Sequence, residues 1–551
     1  MSDKPRIVVL GGGFAGMFAA RNLRRRMGDD AEIELINAEN YFVFQPLLPE
    51  VAAGQVTAPH AATPLRLLLK GVFVRKAMVH SIDFAKQEIT VFQGVQRRHT
   101  LVHYDHLVIA LGQSTDLSMV PGLPEHAMTL KTLEDGRLLR SHVIEKLEHA
   151  EITQLPQVKE QALTFTVIGA GFSGIETVGE MAEFIERSLK YYKNIRRSEI
   201  RIVVVEMADR VLAELPYALG TYARRKMEAR GIEFQLSTGV ASASGTHLVT
   251  TAGEWIGTRT IVATIGSAPS KLVRDLGLPL KAGKIQVDRS FRVPEQDNVW
   301  ALGDCALIPM VDQPQEKSDY APPTAQFAVR EARHLAKCVQ DSIHGKQLAP
   351  FVYTSKGALA SLGARSGVGD IMGIKISGFP AWLIWRAYYV AFLPGMSTRF
   401  RVLMNWLLDA MTPRNVVQLS KPRQPGARHV LYHAGDRIYE KGNRADGVYT
   451  VVSGAVEMIS EDPETGKEQR RRLGPGEHFG MRLILGEDRR QANARATEHT
   501  RVLVLDREEV LKIADGIDNF RHHFEERIER ELGRHWTRGD GETEKRVAAV
   551  D

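Results

Sequence analysis

A strand–glycine–helix device occurs twice in this chain, and it limits the possible folds more than any other feature. The first copy runs from the apolar strand Ile7-Val8-Val9-Leu10 through Gly11, Gly13 and Gly16 into helix formers from Met17 to Arg26. Gly11 permits a tight turn, Gly13 lets a pyrophosphate approach the backbone, and Gly16 allows close packing of helix on strand. The helix N-terminus, with Phe14 and Ala15, then faces the phosphates. The second copy is the strand Thr164 to Ile168, followed by Gly169, Gly171, Phe172, Ser173 and Gly174 and a helix start at Ile175. One match could be a glycine-rich turn in an unrelated α/β domain. Two, each followed by another apolar strand, predict two dinucleotide sites.

The residue that ends each following strand is where a ribose is usually held. After the first copy, Ile33-Glu34-Leu35-Ile36 ends at Asn37, which can hydrogen-bond a hydroxyl without carrying charge; Glu39 is a possible substitute. After the second, Ile202 to Val205 ends at Glu206, which would accept both ribose hydroxyls and repel a 2′-phosphate. The second unit therefore reads as an NADH site, although the segment from Glu183 to Ile200 delays Glu206 beyond the usual spacing.

Further strand ends carry candidate ligand contacts. Tyr104 to Gly112 is a buried strand ending in Ala110-Leu111-Gly112, and Ile261 to Gly266 closes the second unit. Asn298 to Ala306 places Gly303 and Asp304 at a strand's C-terminal edge, where a carboxylate can hold the ribityl hydroxyls of a flavin. Pro322 to Arg330 opens a helix whose first amides, at Ala325 and Gln326, would point at the flavin ring. Gln326 could face the ring or a second substrate, or merely cap the helix. The aromatic, proline-rich stretch Asn40 to Gly54, with Gln45, is too apolar for a surface linker; it reads as a core plug or a wall of the cofactor pocket. Glu176, close to the expected nicotinamide, could orient it or move a proton, or be only a solvated carboxylate favoured by the helix dipole.

Composition narrows the class. At 551 residues several domains are expected. The 72 basic and 66 acidic residues are mixed along the chain, with no basic block suggesting nucleic acid. Two distant cysteines, Cys305 and Cys338, exclude a disulfide framework and suit a reducing compartment. No signal peptide and no membrane-spanning run are expected, and no metal site is read. Residues 379 to 414 form two helices around Pro394-Gly395, rich in Trp, Tyr and Leu and punctuated by Arg386, Arg399, Arg401 and Arg414. Such helices suit the plane of a membrane interface, or else a subunit interface. Beyond a linker at Gln424-Pro425-Gly426, short alternating strands separated by glycines predict a small all-β roll. Residues 506 to 532 read as helical, and the tail from Thr537 as disordered.

The glycine turns, the loop Asn40 to Gly54, the segment Leu130 to Asp135, Ala301 to Ala306 and Pro322 to Arg330 together resemble the two-dinucleotide-binding-domain flavoproteins. Over residues 5 to about 420 they resemble type II NADH:quinone oxidoreductase, the non-pumping alternative NADH dehydrogenase. The resemblance implies non-covalent FAD on the first unit, NADH on the second and a quinone at Ala325-Gln326, with the helices after residue 378 as the membrane-docking and quinone-access element. Asn37, Leu111 and Glu331 depart from the family pattern. Residues 427 to about 520 resemble the cyclic-nucleotide-binding β-roll through Glu440-Lys441-Gly442, Gly454 and Gly474 to Gly480. In that family the stretch after Phe-Gly needs a glutamate and an arginine. Met481 stands at the glutamate position and Arg489 or Arg490 can supply the arginine, so an ordinary cyclic nucleotide is not expected to bind.

The expected architecture is therefore α/β: two Rossmann-like domains, the second inserted in the first, then amphipathic docking helices and an all-β roll with flanking helices. Residues 1–155 and 288–350 would bind FAD, 156–287 NADH, and 351–422 the quinone and membrane; 423–535 would form the roll and 536–551 a tail. Glu176 and Gln326 are the catalytic candidates. The expected partners are NADH, a membrane quinone and the cytoplasmic face of the membrane, with a homodimer as the assembly. A sulfide:quinone oxidoreductase, using Cys305 and Cys338, or another flavoprotein reductase of the same fold is the alternative. A second alternative makes the roll a sensor or scaffold.

Overall fold

The computed structural model describes residues 4–94, 98–418, 427–461, 467–485, 487, 489–507 and 509–511. The expected linker at 424–426, the helix beyond residue 511 and the tail lie outside these residues. The described chain divides into two compact units.

The larger unit takes in residues up to Val120, Ala127–Ala241 and the chain from Leu248 to 418. It contains two parallel five-stranded sheets. In the first, Val299–Ala301, His106–Ile109, Arg6–Leu10, Glu32–Asn37 and Phe73–Lys76 lie side by side. In the second the order is Ala127–Met128, Thr260–Ala263, Thr164–Ile168, Arg201–Val205 and Ile232–Gln235. Parallel sheets are covered on both faces, so their strands read as continuous apolar runs; Ile7 to Leu10 are accordingly all fully buried. The chain completes the second sheet before it returns to the first at Val299, so one nucleotide fold interrupts the other, as the two motifs predict.

Each glycine turn is built the same way. Gly11 and Gly169 both have φ +101°, and a Cβ on Gly16 or on Gly174 would lie 1.9 Å from the carbonyl oxygen of Gly11 or Gly169. Only glycine lets helices Phe14–Met27 and Phe172–Ser188 sit this low on their strands.

A three-stranded antiparallel sheet over 357–378 leads into the two aromatic helices, Phe379–Phe392 and Met396–Met411. Among the described residues no helix is long and apolar enough to cross a membrane. Two of the four arginines depart from the interfacial reading, whereas Arg401 is exposed and Arg399 half-buried. Arg386 and Arg414 are buried, not spread along an outer rim, because they pair with buried carboxylates. The outward face is apolar instead: Phe379, Leu383, Met396, Phe400, Leu407 and Leu408 are all more than half exposed.

The smaller unit comprises Pro121–His126, Ser242–His247 and the C-terminal roll. The roll has two four-stranded antiparallel sheets, closed over Tyr439, Tyr449, Val451, Val456, Phe479 and Val502. The alternating apolar residues and glycine turns of the sequence thus give the expected fold.

Candidate functional site

At the first glycine turn, Asn37 Oδ1 accepts the Gly12 amide at 2.8 Å while its Nδ2 donates to the Glu39 carbonyl at 2.8 Å. At the second, Glu206 takes the equivalent place. Its Oε2 accepts the Ala170 amide at 2.5 Å and its Oε1 the Ala208 amide at 2.8 Å. The long segment before it does not displace Glu206, because Ile168 pairs with Val205 just as Leu10 pairs with Ile36. Both turns are open where phosphates would sit. A Cβ on Gly13 would meet nothing within 4 Å, and one on Gly171 only the Glu214 carboxylate at 3.8 Å. Two helix N-termini with bare backbone in front of them fit two dinucleotides.

The other flavin candidates converge on the C-terminal edge of the first sheet. Ile109 and Ala301 are register partners, so Ala110, Gly112, Gly303 and Asp304 follow from adjacent strand ends. A Cβ on Gly303 would come within 2.6 Å of Ala15, which brings this turn against the first glycine-turn helix. Burial raises the Asp304 carboxyl, opposed by Lys284 and Lys131. Beside it, Glu331 is buried, accepts the Gly303 amide at 3.0 Å and is pushed by burial to about 8. Phe14 packs edge-on against Phe42 and Phe44, so the 40–54 stretch is a core element beside the first turn, with Gln45 bonded to the Lys131 carbonyl at 3.4 Å. Gly266, at the end of the second sheet's strand, is held by the Asp116 amide at 2.8 Å.

Gln326 does not cap its helix. Thr324 does, accepting the Phe327 amide. The Gln326 side chain instead ties down residues 353–357: Oε1 accepts Tyr353 Oη at 2.8 Å and the Lys356 amide at 3.1 Å, while Nε2 donates to the Gly357 carbonyl at 3.2 Å. Glu176 is not a solvated carboxylate. It is 6% exposed, and its Oε1 accepts the Ser361 amide at 3.1 Å and Trp385 Nε1 at 2.8 Å. Burial pushes its pKa to about 8, so it holds a proton at neutral pH. Tyr389 packs on Trp385 with ring centroids 4.4 Å apart, and burial beside Glu176 raises its phenol well above the usual value.

Sequence reasoning missed the charges beneath this site. Buried Glu50 accepts Trp406 Nε1 at 2.7 Å and faces Arg386 at 3.5 Å. Arg386 lies between the rings of Trp382 and Trp406, 4.3 and 4.2 Å from their centroids. Arg414 bonds Asp409 at 2.9 Å and Glu183 at 3.1 Å, with Glu180 at 3.9 Å. Burial, with Glu183 and Glu50 nearby, pushes Glu180 to about 8.

Residues 5–332 match the family described as Pyridine nucleotide-disulphide oxidoreductase, residues 355–415 the NDH2 C-terminal domain and residues 429–516 the Cyclic nucleotide-binding domain. The Type II NADH:quinone oxidoreductase Ndh of Mycobacterium tuberculosis is 30% identical over 425 residues, covering 74% of this chain and 89% of that protein. NDH2 from Plasmodium falciparum, solved in complex with NADH, superposes with a TM-score of 0.69 at 20% identity over 75% of this chain and all of that one. The sulfide:quinone oxidoreductase of Aquifex aeolicus is more distant, with a TM-score of 0.57 at 18% identity over 76% of this chain and 96% of that one. The chain belongs to the pyridine nucleotide-disulphide oxidoreductase family and, within it, to the type II NADH:quinone oxidoreductases. It is a flavoprotein that oxidises NADH and reduces quinone. The cysteines do not favour sulfide chemistry. Both are buried, and burial pushes Cys305 to about 11 and Cys338 to about 12, so neither is a thiolate at neutral pH.

The buried carboxyls predict a pH dependence. The unfolded Glu176 side chain ionises near 4.5, whereas the folded one keeps its proton to about 8. Its contribution to stability is therefore complete below 4.5 and is lost as pH rises towards 8. The slope is at most about 1.4 kcal/mol per pH unit. Glu176→Gln, which cannot ionise, should become progressively more stable than the unmodified protein between pH 5 and 8. Thermal midpoints that stay parallel across that range would show that Glu176 does not hold the proton.

Proposed function

We propose that the first unit holds FAD non-covalently through Gly11, Gly13, Phe14, Ala15, Gly16, Asn37, Gln45, Ala110, Gly112, Gly303, Asp304 and Ala325. Gly169, Gly171, Phe172, Ser173, Gly174, Glu206 and Gly266 hold NADH. The single observation that supports this most is the identity of the two turns: same backbone angle, same helix-on-strand approach, and one polar side chain clasping the central amide. When bound, the flavin supplies the redox chemistry, taking hydride from NADH and passing two electrons to quinone.

The chain's own residues orient, shield and protonate. Glu206 fixes the second turn and sets a negative charge where a 2′-phosphate would lie. Gln326 positions residues 353–357 beside the start of its helix, and the apolar 40–54 stretch keeps water from the first turn. Quinone reduction consumes protons, and Glu176 holds one on its carboxyl at the junction of helix 172–188, strand 357–363 and helix 379–392. The exposed apolar face of helices Phe379–Phe392 and Met396–Met411 docks on the cytoplasmic face of the membrane and admits the quinone tail.

The roll keeps its fold without a cyclic-nucleotide site. Arg490 is buried, and both of its terminal nitrogens already have protein partners, leaving only Nε without one among the described residues. It pairs with Asp446 at 2.6 Å, donates to the Gly447 and Gly480 carbonyls and stacks 4.3 Å over Tyr439. Met481 is buried too and cannot accept a ribose hydroxyl.

Three measurements test these assignments. Glu206→Gln keeps an acceptor for the Ala170 amide but removes the charge. The preference for NADH over NADPH, as a ratio of kcat/KM, should fall about tenfold, equivalent to about 1.4 kcal/mol; an unchanged ratio would mean that Glu206 does not select the nucleotide. Replacing Leu383, Phe400 and Leu407 together by Glu removes three exposed apolar side chains, each contributing about 1.5–3 kcal/mol when buried. The variant should stay in the supernatant when anionic vesicles are pelleted and should lose turnover with long-tailed quinone while retaining it with a short soluble one. Continued cosedimentation would reassign this face to a protein interface. Calorimetry on the full chain should detect no cyclic AMP or cyclic GMP binding at micromolar concentrations, and a submicromolar affinity for either would refute the reading of Arg490.

A further inference from the structure

The smaller unit contains a cluster that the NADH and quinone chemistry does not use. His247, His433 and Asp436 each offer one ligand atom, and these atoms all lie within 4.8 Å of one another; both histidines are buried. The residues come from two tight turns. His433 and Asp436 close the turn after strand Ala427–Tyr432, where the Asp436 carboxylate accepts the His433 amide at 2.9 Å. His247 closes a turn in which the Ser244 amide donates to the His247 carbonyl at 2.8 Å.

Neighbouring hydroxyls set the orientation of both rings. Nδ1 of His247 pairs with Ser244 Oγ at 2.9 Å, so coordination falls to its Nε2. Nε2 of His433 pairs with Ser242 Oγ at 3.1 Å, and the tautomer that donates from Nε2 carries its lone pair on Nδ1. That buried Nδ1 has no hydrogen-bond partner among the described residues. It faces Asp436 Oδ2 at 3.8 Å, too long for a hydrogen bond. Two ligands of one tetrahedral zinc ion, each bonded at about 2.0–2.1 Å, stand about 3.3 Å apart. With all three ligand atoms within 4.8 Å of one another, the set needs to close by at most about 1.5 Å. A hydrogen bond on the far nitrogen is what holds a metal-binding imidazole in register, and here the Ser244 and Ser242 hydroxyls make that bond.

We propose that His247, His433 and Asp436 bind one divalent transition-metal ion, with water in the fourth position. Two imidazoles and a carboxylate, with no thiolate, suit a borderline ion such as Zn²⁺ and disfavour the hard ions Mg²⁺ and Ca²⁺, which prefer all-oxygen sets. The ion would tie the turn at His247 to the turn at His433 within this unit, a structural clip separate from the flavin chemistry.

The test uses the full-length flavoprotein dialysed against a chelator. Zn²⁺ is titrated in competition with a chromophoric chelator, and Co²⁺ is followed by the visible bands of a tetrahedral site. One equivalent should bind with submicromolar affinity, and Zn²⁺ should raise the thermal midpoint of the roll. His433→Ala should weaken binding at least a hundredfold and abolish the Co²⁺ bands. Ser244→Ala keeps all three ligands, and should weaken binding about tenfold even if His433→Ala folds poorly. His429→Ala, outside the cluster, should bind as the unmodified chain does. Absence of binding below about 10 μM, or an equal loss in His429→Ala and His433→Ala, would overturn the proposal.

Discussion

The approach of each glycine-turn helix to its own strand is the contact from which the rest of the larger unit follows. With Gly16 and Gly174 placed so that a Cβ would fall 1.9 Å from a carbonyl oxygen, each helix sits low enough for its first amides to clear the strand end. This proximity leaves the backbone at Gly13 and Gly171 bare and brings the next strand's terminal side chain, Asn37 or Glu206, onto the central amide of the turn. An anion-binding helix end needs exposed amides, and here sheet packing creates them. The first turn also receives Gly303 against Ala15, so a residue far along the chain completes the edge that the opening motif begins.

Beneath the site lies an unusual concentration of buried charge. Removing one partner from a buried ion pair costs about 3–5 kcal/mol, because the other is left uncompensated. Glu50, Arg386 and Trp406 form such a set, and Arg414 with Asp409 and Glu183 another. Burial raises Glu50 as well, against the pull of Arg386. At Glu176 two hydrogen bonds support the carboxyl and no cation among the described residues pairs with it, so desolvation dominates and the proton stays on. A carboxyl that can give up a proton near neutral pH is useful where a quinone must be protonated, and the same desolvation makes it a stability liability at higher pH.

The sequence made the sheets legible because parallel strands must be apolar along their whole length, and Ile7 to Leu10 or Ile202 to Val205 can be nothing else. It also made the two clasping residues legible, since strand ends fall at fixed places after glycine turns. The buried charges were not legible. Glu50 meets Arg386 and Trp406 across separations of 336 and 356 residues, and no local period encodes such a pairing. Arginines flanking aromatic residues look the same whether they reach for lipid phosphates or for a buried glutamate. Gln326 illustrates a subtler limit: its position at a helix start was readable, but its partners at 353–357 are set by tertiary folding. His247 and His433 are likewise unrelated in sequence and meet only in the folded unit.

The buried arginines also explain why the two aromatic helices can present so much apolar surface. Helix Phe379–Phe392 is anchored from inside by Trp385 on Glu176 and by Arg386 on Glu50. Helix Met396–Met411 is anchored by Trp406 on Glu50 and by Asp409 on Arg187 and Arg414. Polar anchors tie down the inner face, so the outer residues need not pack to hold the helices in place. Phe379, Leu383, Phe400 and Leu407 thus remain exposed on a rigid support rather than collapsing into the core. An exposed apolar face of this kind marks an interaction surface. Trp385, which helps fix this face, also bonds Glu176, so the exposed apolar face and the proton-holding carboxyl are two sides of one packed layer.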